Sequence, residues 1–151
     1  MTFIACENLS QASGHLSFAT SLLPQGEKME PRIHRTILLM TVDLRREIQL
    51  DELARSLNLS ASRLRHLFKK EMGVSPVQYL KAQRMLKARE LLESTFLNVK
   101  EVMLKVGVKD KSHFIRDFKK TFGLSPSLYR VQYLAAKQKD GLGRITKTAT
   151  E

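Results

Sequence analysis

Residues 68–79 read Phe-Lys-Lys-Glu-Met-Gly-Val-Ser-Pro-Val-Gln-Tyr, and residues 118–129 read Phe-Lys-Lys-Thr-Phe-Gly-Leu-Ser-Pro-Ser-Leu-Tyr. Seven of the twelve positions are identical across this offset of fifty: Phe, Lys, Lys, Gly, Ser, Pro and Tyr. The likeness continues upstream, where Leu57 to Leu64 faces Val106 to Phe114 with one extra residue in the second copy. Further back, Asp51-Glu52-Leu53-Ala54 faces Lys100-Glu101-Val102-Met103. Self-similarity at one fixed offset marks a duplicated supersecondary unit. Two copies make a pseudo-symmetric pair and not a solenoid.

Local signals give each copy the same plan. In the first, Asp51 begins a short helix through about Leu57, with Leu53, Ala54 and Leu57 on one side. Asn58-Leu59 makes the turn, since Asn tolerates a left-handed backbone. Ser60 then caps a helix through Glu71, and Gly73 closes it. Ser75-Pro76 opens the next helix, Ser as N-cap and Pro in the first helical position. That helix runs to about Glu93 and joins the units. The second copy repeats the plan: a helix over about Val99–Val106, a turn at Gly107, and a helix capped by Asp110 reaching about Phe122. Gly123 stops it, and Ser125-Pro126 opens a last helix to about Lys137.

Ahead of the first unit, Ile33, Ile37, Met40, Leu44 and Ile48 fall at helical spacing, which predicts one helix after Pro31 that ends before Gln49. Three segments follow: an irregular leader over 1–31, a domain over 32–137, and a disordered basic tail over 138–151. The expected fold is all-α, with two helix-turn-helix subdomains joined by a long linker helix. Each crossing would be held by buried Leu53, Leu57, Leu64 and Phe68 in the first copy, and by Val102, Val106, Phe114 and Phe118 in the second. Tyr79 and Tyr129 belong with those cores.

The net charge of +11 is concentrated in the repeat. Residues 1–48 balance five basic against five acidic side chains, whereas residues 49–136 hold seventeen basic against eight acidic. Such a balance points to a polyanionic partner. One cysteine, Cys6, excludes an internal disulfide and fits a reducing cytosol. The longest apolar run, Ile37 to Met40, falls far short of the ~20 residues that span a bilayer. His15, His34, His66 and His113 lack metal-ligand spacing, and no phosphate loop, nucleophile elbow or carboxylate pair is present. The expectation is a protein that is not an enzyme and carries neither metal nor cofactor.

Helix, tight turn and a capped basic helix form a helix-turn-helix, whose second helix can lie in a DNA major groove. At these residues the chain resembles the DNA-binding region of the AraC/XylS family of bacterial transcription regulators. The second copy carries the more specific pattern, Gly107-Val108-Lys109-Asp110-Lys111-Ser112-His113-Phe114-Ile115-Arg116-Asp117-Phe118-Lys119-Lys120, then Gly123-Leu124-Ser125-Pro126 and Tyr129-Arg130. The resemblance covers about residues 32–132. It departs where Asn58 replaces a usual Gly, Met103 a usual small Ala, and Val108 a usual Phe.

The resemblance implies a sequence-specific regulator of transcription that places two recognition helices in adjacent major grooves of double-stranded DNA. Ser62, Arg65 and His66 match base-reading positions in the first recognition helix. Lys111, Ser112, Ile115 and Arg116 match them in the second, with a core position as the competing reading of Ile115. Arg65 can bridge guanine O6 and N7 with its planar fork. Lys69, Lys70, Lys81, Arg84, Lys119, Lys120 and Arg130 are phosphate candidates, which would position the protein without reading sequence.

The expected partner is DNA, bound by a monomer in the bacterial cytoplasm at the nucleoid, with RNA polymerase as a possible second partner. A module that only holds a protein partner, and a sequence-blind packaging protein, are the rival readings. Thirty-one leader residues are too few for the ligand or dimerisation domain usual in the family. The segment from Pro31 to about Lys137 is therefore expected to fold and bind DNA without an inducer.

Overall fold

The computed structural model describes the backbone of residues 29–145 and the side chains of residues 29–138. The described residues form helices and no strand: α1 (Pro31–Thr41), α2 (Leu50–Ser56), α3 (Ala61–Met72), α4 (Pro76–Ser94), α5 (Val99–Lys105), α6 (Lys111–Phe122) and α7 (Pro126–Ile145). The all-α architecture is therefore as expected. Most of the expected leader, residues 1–28, lies outside the described residues.

Capping chemistry sets the boundaries. The Ser60 hydroxyl accepts the Arg63 amide at 3.2 Å at the start of α3. Ser75 and Gln78 form a reciprocal capping box at the start of α4, as Asn98 and Glu101 do for α5. Asp110 accepts the His113 amide at 2.6 Å at the start of α6. That contact holds the Asp110 carboxyl below its ordinary pKa.

Two apolar clusters form, one per unit. Ile33, Met40, Ala54, Leu57, Leu64, Phe68, Met72, Tyr79 and Leu80 make the first. Met85, Ala88, Leu92, Val102, Met103, Val106, Phe114 and Phe118 make the second. Ala54 fills the buried position on α2, with Leu53 half-buried beside it. The clusters repeat one motif: Phe68 meets Tyr79 edge-on at 5.5 Å and 72°, and Phe118 meets Tyr129 at 5.6 Å and 79°. Such edge-to-face pairs add roughly 0.5–1.5 kcal/mol beyond the area they bury.

Helix α4, 19 residues and about 28 Å long, belongs to both clusters. Tyr79 and Leu80 near its start are in the first, and Met85, Ala88 and Leu92 are in the second. Its apolar positions therefore change face along its length instead of forming one stripe.

Two expectations need correction. The periodicity through Leu44 and Ile48 does not continue α1, which stops at Thr41. Thr41 turns its hydroxyl onto the Ile37 carbonyl at 2.8 Å, and the Asp43 carboxylate accepts the Arg45 amide at 3.0 Å. A side chain that bonds nearby backbone in this way competes with the helix. Leu44 and Ile48 still pack on the first cluster, but from a non-helical segment. The second correction concerns the tail, because α7 reaches Ile145 and residues 138–145 are helical. Ala135, Ala136, Lys137, Gln138 and Lys139 are good helix formers, and no proline follows to stop them.

The two units also touch directly. An alanine Cβ built on Gly107 would lie 2.5 Å from Arg45 Cα and 2.7 Å from the Leu44 carbonyl oxygen. The turn of the second unit is thus seated on the loop that follows α1. Arg84 of α4 donates to the carbonyls of Leu44 at 2.8 Å and Arg46 at 3.2 Å in the same loop. Asn58, at φ 54, occupies the matching turn of the first unit and is exposed. An open left-handed turn accepts Asn, whereas one pressed against a neighbouring backbone accepts only Gly.

Candidate nucleic-acid interface

The second helix of each unit presents an outward face fixed by its buried one. On α3, Leu64 and Phe68 are fully buried, and this turns Ser62, Arg65, His66, Lys69 and Lys70 to solvent. On α6, Phe114 and Phe118 are fully buried, and Lys111, Ser112, Arg116, Lys119 and Lys120 are exposed. Among the described residues neither Arg65 nor Arg116 makes an ion pair. Both guanidinium forks therefore remain available to an outside acceptor.

At an offset of fifty the two faces superimpose in sequence but not in chemistry. Ser62 corresponds to Ser112, while Arg65 corresponds to Ile115 and His66 to Arg116. Ile115 is half-buried and packs on the second cluster, which favours its core reading. His113, whose backbone takes the Asp110 cap, also brings its Nδ1 to 3.2 Å from that carboxylate.

The phosphate candidates divide. Among the described residues Lys69, Lys70, Lys119 and Lys120 make no ion pair, and they lie in the last turns of α3 and α6, where cations also favour the helix C-terminus. Lys81 is half-exposed and pairs with Asp117 of α6 at 2.8 Å. Arg84 and Arg130, also expected at phosphates, make internal ties in the structure. Arg84 is half-buried and spends its donors on the Leu44 and Arg46 carbonyls, and burial pulls its pKa down. Arg130 donates to the Leu97 carbonyl, with its Nε buried. Arg84 thus ties down the loop that leads into α2, and Arg130 the one that leads into α5.

Other polar contacts position α7. The Tyr129 hydroxyl donates to the Glu93 carboxylate at 2.5 Å, and burial followed by that contact pushes its pKa upward. Arg89 approaches Glu93 at 3.7 Å and lies 5.2 Å from the centre of the Phe122 ring. Sequence reasoning missed the Gly107 seat and the Asp117 partner of Lys81. Neither leaves a local signal, because each joins residues far apart in the chain.

Among the described residues no group of three or more His, Cys, Asp or Glu side chains is placed to hold a metal ion. No helix there is long and apolar enough to cross a membrane.

An all-helical domain with two basic, capped second helices on one continuous linker defines a double helix-turn-helix protein. The family model described as a helix-turn-helix domain matches residues 53–132. The chain is 34% identical over 97 residues to the regulator GbdR of Pseudomonas aeruginosa, covering 64% of this chain and 26% of that protein. It is 35% identical over 98 residues to the lactose operon transcription activator of Staphylococcus xylosus, covering 65% of this chain and 35% of that one. Among solved structures, the C-terminal domain of the response regulator AraT from Geobacillus stearothermophilus superposes with a TM-score of 0.64. The identity is 33%, over 70% of this chain and 88% of that one. The DNA-binding domain of the global transcriptional factor AdpA, solved with a target DNA, gives a TM-score of 0.67 at 26% identity. That match covers 72% of this chain and 98% of the other.

The chain belongs to the AraC/XylS family, through its AraC-type double helix-turn-helix domain. It spans about a quarter to a third of the length of these two curated relatives.

Proposed function

We propose that this protein is a sequence-specific DNA-binding regulator of transcription whose α3 and α6 enter adjacent major grooves of one duplex. The supporting observation is the pair of exposed, chemically different faces held on one linker helix. Ser62, Arg65 and His66 read one half-site, and Lys111, Ser112 and Arg116 read the other. Lys69, Lys70, Lys119 and Lys120 contact phosphates. A separation near one turn of B-DNA, ~34–36 Å, lets both helices bind on one face. The resulting site is asymmetric and non-palindromic, about two turns long, and takes one monomer over residues 32–137. RNA polymerase is the proposed second partner, met by surfaces that face away from the DNA. The bacterial cytoplasm, at the nucleoid, is the proposed compartment.

The test is site selection in vitro followed by single substitutions. Replacing Arg65 or Arg116 by Ala should weaken binding to the selected site by ~1–3 kcal/mol and relax preference at a few base pairs. Replacing Lys69 or Lys119 should weaken all sequences alike and lower the salt slope by ~1 per lost phosphate contact. Arginine variants with unchanged sequence preference would remove both from the readout set. A packaging protein would bind random and selected DNA alike, and a protein-partner module would bind neither. A regulator should prefer its site by ~10³-fold or more. Inserting five base pairs, about half a turn, between the half-sites should abolish most of that preference.

A further inference from the structure

Among the described residues, three contacts cross between the units apart from the apolar packing along α4. Arg84 grips the Leu44 and Arg46 carbonyls, Gly107 is seated against Arg45, and Lys81 pairs with Asp117. The third differs in kind. Lys81 lies on the part of α4 whose neighbours Tyr79 and Leu80 belong to the first cluster. Asp117 lies on the second recognition helix, between Phe114 and Phe118 of the second cluster. The Asp117 side chain keeps only 16% of its exposure, while that of Lys81 keeps 55%. Among the described residues it is the one ion pair that joins the two units.

We infer that Lys81 and Asp117 are positioning residues that set the spacing between half-sites which the protein accepts. The argument is geometric. A linker helix fixes the distance between two bodies well and their rotation about its own axis poorly, because small changes in side-chain packing let one body roll. A pair that runs from the linker to the recognition helix itself resists that roll at the element that enters the groove. The Lys81 end of the pair is more than half exposed and screened by water, so neutralising Asp117 as Asn, which keeps the shape of the side chain, should leave the fold nearly unchanged. A roll of α6 about the linker carries its base-reading face along the DNA, so the effect should appear in spacer choice.

This inference rests on the two-groove reading above and has its own test. Affinities of wild type, Asp117→Asn, Lys81→Gln and the reversed pair Lys81→Asp with Asp117→Lys are measured on the selected site. The same variants are measured on versions with one or two base pairs added to or removed from the spacer. Wild type should favour one spacing by about tenfold or more over its neighbours, the size of a typical coupling between sites in contact. Asp117→Asn and Lys81→Gln should reduce that preference to about threefold or less, with base preference inside each half-site unchanged. The reversed pair should recover it.

If wild type lacks a spacing preference, the two-groove reading fails and the inference falls with it. If wild type is selective and Asp117→Asn remains equally so, only the inference is overturned. It is overturned as well if Asp117→Asn tightens binding at every spacing and steepens the salt slope. That result would mean the pair merely withholds Lys81 from a phosphate.

Discussion

Gly107→Ala should destabilise the domain by about 2–4 kcal/mol, lowering Tm by ten degrees or more at the usual size scaling for ~100 residues. Two causes add. Gly107 sits at φ 74, where an L side chain pays roughly 1–2 kcal/mol. The new methyl would also lie 2.5 Å from Arg45 Cα and 2.7 Å from the Leu44 carbonyl oxygen, both backbone atoms that cannot swing aside. Relieving that overlap means moving the loop that Arg84 holds, a change comparable to overpacking a core at ~1–3 kcal/mol. Gly73 and Gly123 supply the control. They have φ of 71 and 80, yet a Cβ at either meets nothing within 4 Å. Their alanine variants should show only the backbone penalty, about 1–2 kcal/mol. Urea unfolding of all three separates strain from collision. Equal losses would mean that the seat on Arg45 yields freely and does not hold the units together.

Lys87→Pro should be at least as disruptive. Lys87 lies in the interior of α4, and proline there removes one amide donor and collides with the carbonyl of the preceding turn, for ~3 kcal/mol or more. The Lys87 side chain is exposed and, among the described residues, pairs only with Glu90, so little packing is lost with it. The break falls between Met85 and Ala88, both buried in the second cluster, and tilts the second unit away from the first. DNA affinity should drop by about a hundredfold or more, the loss of one of two linked binding faces. Lys87→Ala should bind like wild type. The decisive measurement is affinity for the intact site beside the helical circular dichroism signal. Binding within threefold of wild type would show that α4 does not couple the recognition helices.

Legibility followed the range of the interaction. The caps at Ser60, Ser75 and Asp110 and the turn at Asn58 were readable because each is decided within four residues. The buried faces of α3 and α6 were readable because Leu64, Phe68, Phe114 and Phe118 recur at helical spacing. Leu44 and Ile48 misled for the same reason, since they keep apolar contact in phase with α1 after its hydrogen bonds have ended. Arg84 and Arg130 could not be placed from sequence. A guanidinium that serves a carbonyl on another element looks, residue by residue, like one that serves a phosphate. Ile115 was ambiguous because its position lies at the boundary between the packed and the exposed face. Asp117 and Arg45 acquire their meaning only from elements distant in the chain.

Arg84 and Arg130 have one further consequence. Position 134, the counterpart of Arg84, is Leu, and position 80, the counterpart of Arg130, is Leu as well. The duplicated halves have thus drifted to unlike internal ties, and the molecule has a front and a back with no two-fold axis between them. Bound as proposed, such a chain gives its operator a direction. Inverting the operator within a promoter would preserve every base contact yet turn the protein end for end. The exposed Leu128, Val131 and Leu134 of α7 would then look toward the opposite flank. A promoter using this protein should therefore respond to operator orientation as well as to operator sequence, a polarity that a symmetric dimer on a palindrome cannot impose.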